Sequence, residues 1–183
     1  MNPTFIRSVS VRNYKSIAAC KLELGPLTFM VGPNGAGKSN FLDALRFVSD
    51  ALRTSLDHAL RDRGTIREVR RRSGGHPNHF SLRFDFELPS RQTGHYSFRV
   101  GAKPGGAYEV QEEECEIHPE NGIGETHYFR TKSGIVVAST IEPMPPALDD
   151  RLLLVAASGF PQFRPVYDAL SRAYIKLGKI QSY

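Results

Sequence analysis

Cysteine is scarce in this chain: of 183 residues, only Cys20 and Cys115 carry a thiol. They lie far apart in strand-like surroundings, which argues for two reduced, buried thiols and against a disulfide framework or a cysteine-ligated metal. A run of 18 apolar residues is also missing, and no charged-then-apolar leader opens the sequence. Neither a membrane-spanning helix nor a signal peptide is therefore expected, and the chain reads as cytoplasmic. There is no internal repeat and no low-complexity tail. Apart from His118, which follows a run of glutamates, the histidines (58, 76, 79, 95 and 127) show no ligand spacing. Glu112, Glu113, Glu114 and Glu116 would alternate between the two faces of a strand, so they read as a solvated edge strand and not as a zinc site. Acidic residues are fewer than basic ones, 19 against 24, and the net charge of +5 leans toward polyanionic partners. The remaining composition, 40% apolar and 23% charged, is that of an ordinary globular protein with one sizeable core.

What is present is sharper. Gly32-Pro33-Asn34-Gly35-Ala36-Gly37-Lys38-Ser39 matches the phosphate-binding loop G-x-x-x-x-G-K-[ST] at every fixed position. Leu27 to Val31 reads as a short buried strand entering it, and Asn40 to Leu56 as a helix leaving it. Glycines let main-chain N–H groups converge on phosphate oxygens, and the helix N-terminus adds partial positive charge. Lys38 would reach the β- and γ-phosphates, and the Ser39 hydroxyl would complete the coordination of Mg²⁺. Along the helix, Phe41, Leu42, Ala44, Leu45, Val48, Ala51 and Leu52 form one apolar side, while Asp43, Arg46, Asp50 and Arg53 face solvent.

About thirty residues of β structure precede the loop. Thr4–Val11 and Ile17–Leu24 read as a hairpin broken by Asn13-Tyr14-Lys15-Ser16. After the helix, Arg61–Arg72 holds six arginines and two acids. Clustered guanidinium groups favour phosphate contacts, although a solvated basic face is the plainer reading. Phe80, Leu82, Phe84, Phe86 and Leu88 then alternate with polar residues in the cleanest strand of the chain. Four further strands with short turns follow to Ile141. The change of parity between Val110 and Cys115 predicts a bulge or a break there. Past Pro143, Pro145 and Pro146, Arg151–Ala157 is an apolar run of open type, and Phe163 to Leu177 form a helical stripe.

The N-K turn followed by Val31-Gly-Pro-Asn-Gly-Ala-Gly-Lys-Ser-Asn-Phe-Leu-Asp-Ala-Leu45 resembles the N-terminal lobe of the SMC/RecF-type ABC ATPases, nearest to the OLD-like and anti-phage "AAA family ATPase" proteins. The resemblance covers roughly residues 4–50. It implies an α/β P-loop NTPase of ABC N-lobe type, with a mixed sheet, a phosphate-loop helix and an antiparallel β sub-domain. On that reading residues 1–183 form a single ATP-binding lobe. Residues 1–57 supply hairpin, loop and helix, 58–78 a basic connector, 79–141 the antiparallel sub-domain, and 142–183 a linker and C-terminal helix. The resemblance further implies ATP and Mg²⁺ as ligands, with Gly32 to Asn40 as the nucleotide site and Lys15 at its border. Gln162 stands nearest the place of the family's metal-shell glutamine. Arg67, Arg70, Arg71 and Arg72 are its candidate phosphate or DNA contacts.

The family's other motifs are missing. Ser73-Gly74-Gly75 resembles the core of the ABC signature but lacks the preceding leucine and the following helix, and reads as a loop. No run of four apolar residues is followed by Asp-Glu, so nothing orients a hydrolytic water. The chain is therefore expected to be a truncated lobe that binds ATP and hydrolyses it poorly. A complete form would dimerise head-to-tail and act on DNA or in phage defence, with the missing C-terminal lobe or a partner protein. Two alternatives stay open: a small P-loop kinase, which requires α/β alternation after the loop, and a non-hydrolysing nucleotide-dependent interaction module.

Overall fold

A computed structural model describes residues 5–72 and 77–173. Seven strands form one sheet: β1 (Phe5–Tyr14), β2 (Ile17–Glu23), β3 (His79–Glu87), β4 (Thr93–Ala102), β5 (Tyr108–His118), β6 (His127–Lys132) and β7 (Ile135–Ser139). Their order is β2-β1-β3-β4-β5-β6-β7, and every pairing among them is antiparallel. The expectation of a mixed sheet is corrected in this respect: among the described residues no parallel pairing is present. Because β1 pairs with β3, the N-terminal hairpin and the five-strand run share one sheet.

The alternation of side chains dictates what covers that sheet. Val9 and Val11 of β1, Phe80, Leu82, Phe84 and Phe86 of β3, and Tyr96 and Phe98 of β4 point to one face and are buried. Helix α1 (Lys38–Arg53) lies on that face. Its Phe47 ring meets Phe80 edge-on at 5.3 Å and Tyr14 at 6.0 Å. The helix begins two residues before the expected start and ends at Arg53, and Leu56 opens a separate helix, α2 (Leu56–Arg61), capped by Ser55. The basic connector is also helical in part: α3 (Ile66–Val69) buries Ile66 and Val69.

The predicted bulge is at Gln111. Arg99 opposes Glu112 while Val100 opposes Val110, which leaves Gln111 as the extra residue and reverses the facing of all that follows. Consequently Glu113 faces the core. The edge-strand reading of Glu112–Glu116 is corrected here: β5 lies between β4 and β6. Buried Glu113 accepts hydrogen bonds from Leu153 N–H (2.5 Å), Leu154 N–H (2.8 Å) and the Tyr96 hydroxyl (2.9 Å). Its carboxylate thereby holds the start of α4 (Leu153–Ala157), so the open-type apolar run is helical. Then α5 (Arg164–Leu170) follows, with Phe163 stacked edge-on against Phe129 at 5.1 Å. The far end of the C-terminal stripe, like Ser73-Gly74-Gly75, lies outside the described residues.

One expectation fails. Leu27–Val31 is not a buried strand: it pairs with no other strand among the described residues, and Leu27, Phe29 and Val31 are 74%, 78% and 92% exposed. A strand needs a neighbour to take its main-chain hydrogen bonds, and here none stands beside it.

Candidate nucleotide-binding site

The loop folds tightly at the head of α1. Ala36 N–H donates to Pro33 O at 3.2 Å, closing a turn. Gly37, the N-cap of α1, sits in the left-handed region at φ 93°, where a Cβ is disfavoured. Being glycine, it offers no side chain to cap the helix. The N–H groups of the first turn are therefore available to an incoming anion, and the helix dipole points the same way. Lys38 curls back so that Nζ donates to Gly32 O (2.6 Å) and Pro33 O (2.9 Å). Its ammonium thus stands inside the ring of loop carbonyls. Ser39 is exposed beside it. A cleft of about 540 Å³ opens there, lined in part by Ser16, Phe29, Val31, Gly35, Lys38 and Phe41. That is ample room for a triphosphate.

The Asn13–Ser16 turn does border this loop. Asn40 Nδ2 donates to Ser16 Oγ at 2.7 Å, so Ser16 is the turn residue that meets the loop. Lys15 is turned instead toward the helix, with Nζ 2.6 Å from Asp43 Oδ2. Asp43 also accepts from the Tyr14 hydroxyl (2.8 Å) and from Arg63 Nε (3.0 Å), while Arg63 Nη2 reaches Asp50 at 3.0 Å. The solvent-facing reading of Asp43 and Asp50 is thus corrected: both are half-buried against Arg63, whose side chain is 6% exposed. Burial alone would push the Asp43 carboxyl up. The bonds from Lys15 and Tyr14 and the charges of Arg63 and Lys15 outweigh that and hold it below its ordinary value. Burial, then the Asp43 charge, drives the Tyr14 phenol well above its own. Nothing in the sequence singled out Arg63 from its five neighbours. The available signal was Asp43 and Asp50, seven residues apart and hence on one helix face.

The other predicted residues are spread more widely. Lys15 N–H donates to Val69 O and Arg71 N–H to Asn13 O, both at 2.7 Å, which stitches the arginine segment to the turn. Arg70 Nη1 donates to Pro77 O at 3.1 Å, Arg72 pairs with Glu68, and Arg67 is exposed. Gln162 lies in the turn before α5 and does not line the cleft. That helix meets α1 near Ser49 and Leu52, more than two turns from the loop, through Ser49 Oγ to Ser171 O and Tyr167 Oη to Leu52 O.

Residues 27–135, more than half of the chain and including the loop, match the family profile described as "AAA domain, putative AbiEii toxin, Type IV TA system". The chain belongs to this AAA domain family. Short stretches of it are also similar to curated SMC, RecF and OLD proteins. It is 52% identical over 48 residues to the chromosome partition protein Smc of Desulfitobacterium hafniense, covering 25% of this chain and 4% of that protein. It is 41% identical over 63 residues to the DNA replication and repair protein RecF of Gloeobacter violaceus, covering 34% and 16%. With the OLD nuclease of Thermus scotoductus it shares 44% over 43 residues, covering 24% and 8%. This AAA-family chain thus spans a small fraction of the length of these relatives. Among solved structures, one described as "Structural biochemistry of ATP-driven dimerization and DNA stimulated activation of SMC ATPases" aligns with a TM-score of 0.43 at 18% identity, over 58% of this chain and 68% of the other. No helix among the described residues is long and apolar enough to cross a membrane.

Proposed function

We propose that this AAA-family chain binds ATP with Mg²⁺ at Gly32–Asn40, as one lobe of an SMC/RecF/OLD-type ATPase that acts on DNA or in phage defence when complete. The observation that carries the reading is the bare, uncapped start of α1, with Lys38 folded into the loop. In this reading Lys38 exchanges its two carbonyl acceptors for β- and γ-phosphate oxygens, a stronger, charge-assisted pairing. Main-chain N–H groups from Gly35 to Asn40 cradle the same phosphates, and the exposed Ser39 hydroxyl is free to meet the metal. Mg²⁺, held with the help of the Ser39 hydroxyl, would supply charge neutralisation. The Ser16–Asn40 bond holds the Asn13–Ser16 turn at the rim of the cleft, so nucleotide entry and the arginine segment become mechanically linked.

Hydrolysis needs an acidic strand to orient water, and the sequence offers none, so turnover by this chain should be negligible. Leu27, Phe29 and Val31 favour a completing partner, either the rest of a longer chain or another protein: apolar side chains this exposed gain free energy when covered. A complete form would then close head-to-tail over two nucleotides. The kinase alternative is disfavoured by the run of antiparallel strands after α1, where α/β alternation would be required. Titration of a fluorescent ATP analogue with Mg²⁺ tests the proposal. Lys38→Ala is expected to weaken binding by at least about tenfold, corresponding to roughly 1.4 kcal/mol, with an unchanged melting curve. Equal affinity of wild type and variant would overturn it.

A further inference from the structure

The bulge at Gln111 has a second result, on the sheet face turned away from the helices. By turning Glu113, Cys115 and Ile117 inward, it sends Glu114 and Glu116 outward. Both then share a side with His95, the residue of β4 directly opposite Glu116 and one pair along from Ser97 and Glu114. An imidazole and two carboxylates thus meet across two central strands, on a spacing that neither strand displays alone. One ligating atom from each lies within 4.8 Å of the other two. No other trio of His, Cys, Asp or Glu converges in this way among the described residues.

The contacts around this trio leave it open to a cation. His95 is 12% exposed, and its Nε2 is buried without a hydrogen bond. Glu114 Oε2 faces it at 3.5 Å, longer than the usual N–H···O bond of about 2.9 to 3.0 Å. That separation does suit two ligands of one ion. With bonds of about 2.0 to 2.1 Å in a tetrahedral shell, ligand atoms stand roughly 3.4 Å apart. Arg130 leaves this gap free: its Nε donates to Glu114 Oε1 and its Nη2 to Glu116 Oε2, both at 2.7 Å. The guanidinium offsets the repulsion between the two carboxylates and fixes their orientation, as the outer partners of metal ligands do. His118 Nε2 stands 3.4 Å from Glu116 Oε1, so a second imidazole borders the pair.

We propose that His95, Glu114 and Glu116 bind a divalent transition-metal ion of the zinc class, clipping β4 to β5 on the outward face. One nitrogen and two oxygen ligands favour Zn²⁺ and its first-row neighbours, whereas Mg²⁺ and Ca²⁺ are held by oxygen. Water completes the shell, because this face is open to solvent. An ordinary ion-pair network is the competing account. The bare Nε2 argues against it, since a buried ring nitrogen inside such a network would make its hydrogen bond. The ion is distinct from the Mg²⁺ of the nucleotide reading, because none of the three residues lines the cleft beside Lys38. An ion held only by the folded chain also stabilises it by mass action, so the sheet should resist unfolding better when the ion is bound.

Titration of the metal-free, untagged full chain without nucleotide tests the proposal, with Zn²⁺ followed by calorimetry and Co²⁺ by visible absorption. One equivalent of zinc should bind with a Kd on the order of 10 μM or tighter. Zinc at about 100 times Kd should raise the melting temperature by at least about 4 °C. His95→Ala should weaken binding at least about tenfold, the loss that outer partners of a metal site already produce, and should abolish the cobalt band. Should His95→Ala misfold, the isosteric Glu114→Gln should give the same loss. His58→Ala, which removes an imidazole paired with Asp62 at α2, should bind zinc as wild type does. Lys38→Ala should do so too, which separates this test from the nucleotide one. Four results would overturn the proposal: absence of saturable zinc binding, unchanged affinity in both His95→Ala and Glu114→Gln, an equal loss in His58→Ala, or displacement of zinc by an equal concentration of Mg²⁺.

Discussion

Phe47 and Phe29 make an instructive pair. Both are phenylalanines close to the phosphate loop, one in the helix after it and one in the stretch before it. Phe47 is 0% exposed, with Tyr14, Phe80 and Phe98 around its ring and the Arg63 guanidinium 5.3 Å from its centroid. Phe29 is 78% exposed. The helix side is finished by contacts within the chain, whereas the stretch before the loop packs only Met30 against the core and leaves Leu27, Phe29 and Val31 exposed. Residue type is the same in both places, so the partner decides burial.

The sharpest way to break this comparison is to remove the finished side. Phe47→Ala takes away a fully buried ring and leaves a cavity between α1 and the sheet, and should cost about 3 to 5 kcal/mol in urea or guanidinium unfolding. A loss below about 1 kcal/mol would mean that α1 is not locked on the sheet and that the loop is less well positioned than its hydrogen bonds imply.

How far the sequence could anticipate this follows from which effects are local. The strict alternation of Phe80 to Leu88 gave β3, and the parity break between Val110 and Cys115 announced the irregularity that the register places at Gln111. The phosphate loop and its helix were equally legible, because glycine spacing and apolar periodicity are local properties. What failed depended on neighbours distant in sequence. Leu27–Val31 has strand-like composition, but composition cannot supply an adjacent strand. Asp43 and Asp50 occupy the polar side of α1, and only the fold brings Arg63 beside them. Glu113 sits in a run of glutamates that looks solvated until the bulge turns it inward onto Tyr96 and the start of α4.

Glu113 gives the next largest effect. Burial pushes its carboxyl up to about 7, against the opposing hydrogen bonds from Leu153, Leu154 and Tyr96. An acid whose folded value is raised disfavours the folded state when ionised. Below about pH 4.5 the group is protonated in both states and has no effect. As pH rises toward 7 the unfolded chain ionises first, so stability should fall across that window, by about 3 kcal/mol in all, and level off above it. Asp43, held below its ordinary value, contributes in the opposite sense: its stabilisation is present above the usual carboxylate range and is lost as pH falls. Comparing wild type with Glu113→Gln cancels that background. The difference between their unfolding free energies should slope between about pH 4.5 and 7. A flat difference curve would mean that Glu113 is ionised in the interior throughout.

The smallest expected effect sharpens the comparison from its other side. Phe29→Ser with Val31→Ser replaces two large apolar residues in a protein whose other aromatic rings are mostly buried, yet stability should change by no more than about 0.5 kcal/mol. Side chains already in water lose no burial when they are made polar. A loss above about 1.5 kcal/mol would show that this stretch packs against the chain in solution, and the case for a completing partner would go with it. A neutral result together with better solubility would place the whole hydrophobic benefit of Leu27, Phe29 and Val31 in contacts made with something else. The strand side of the site would then be a surface whose folding is finished by binding.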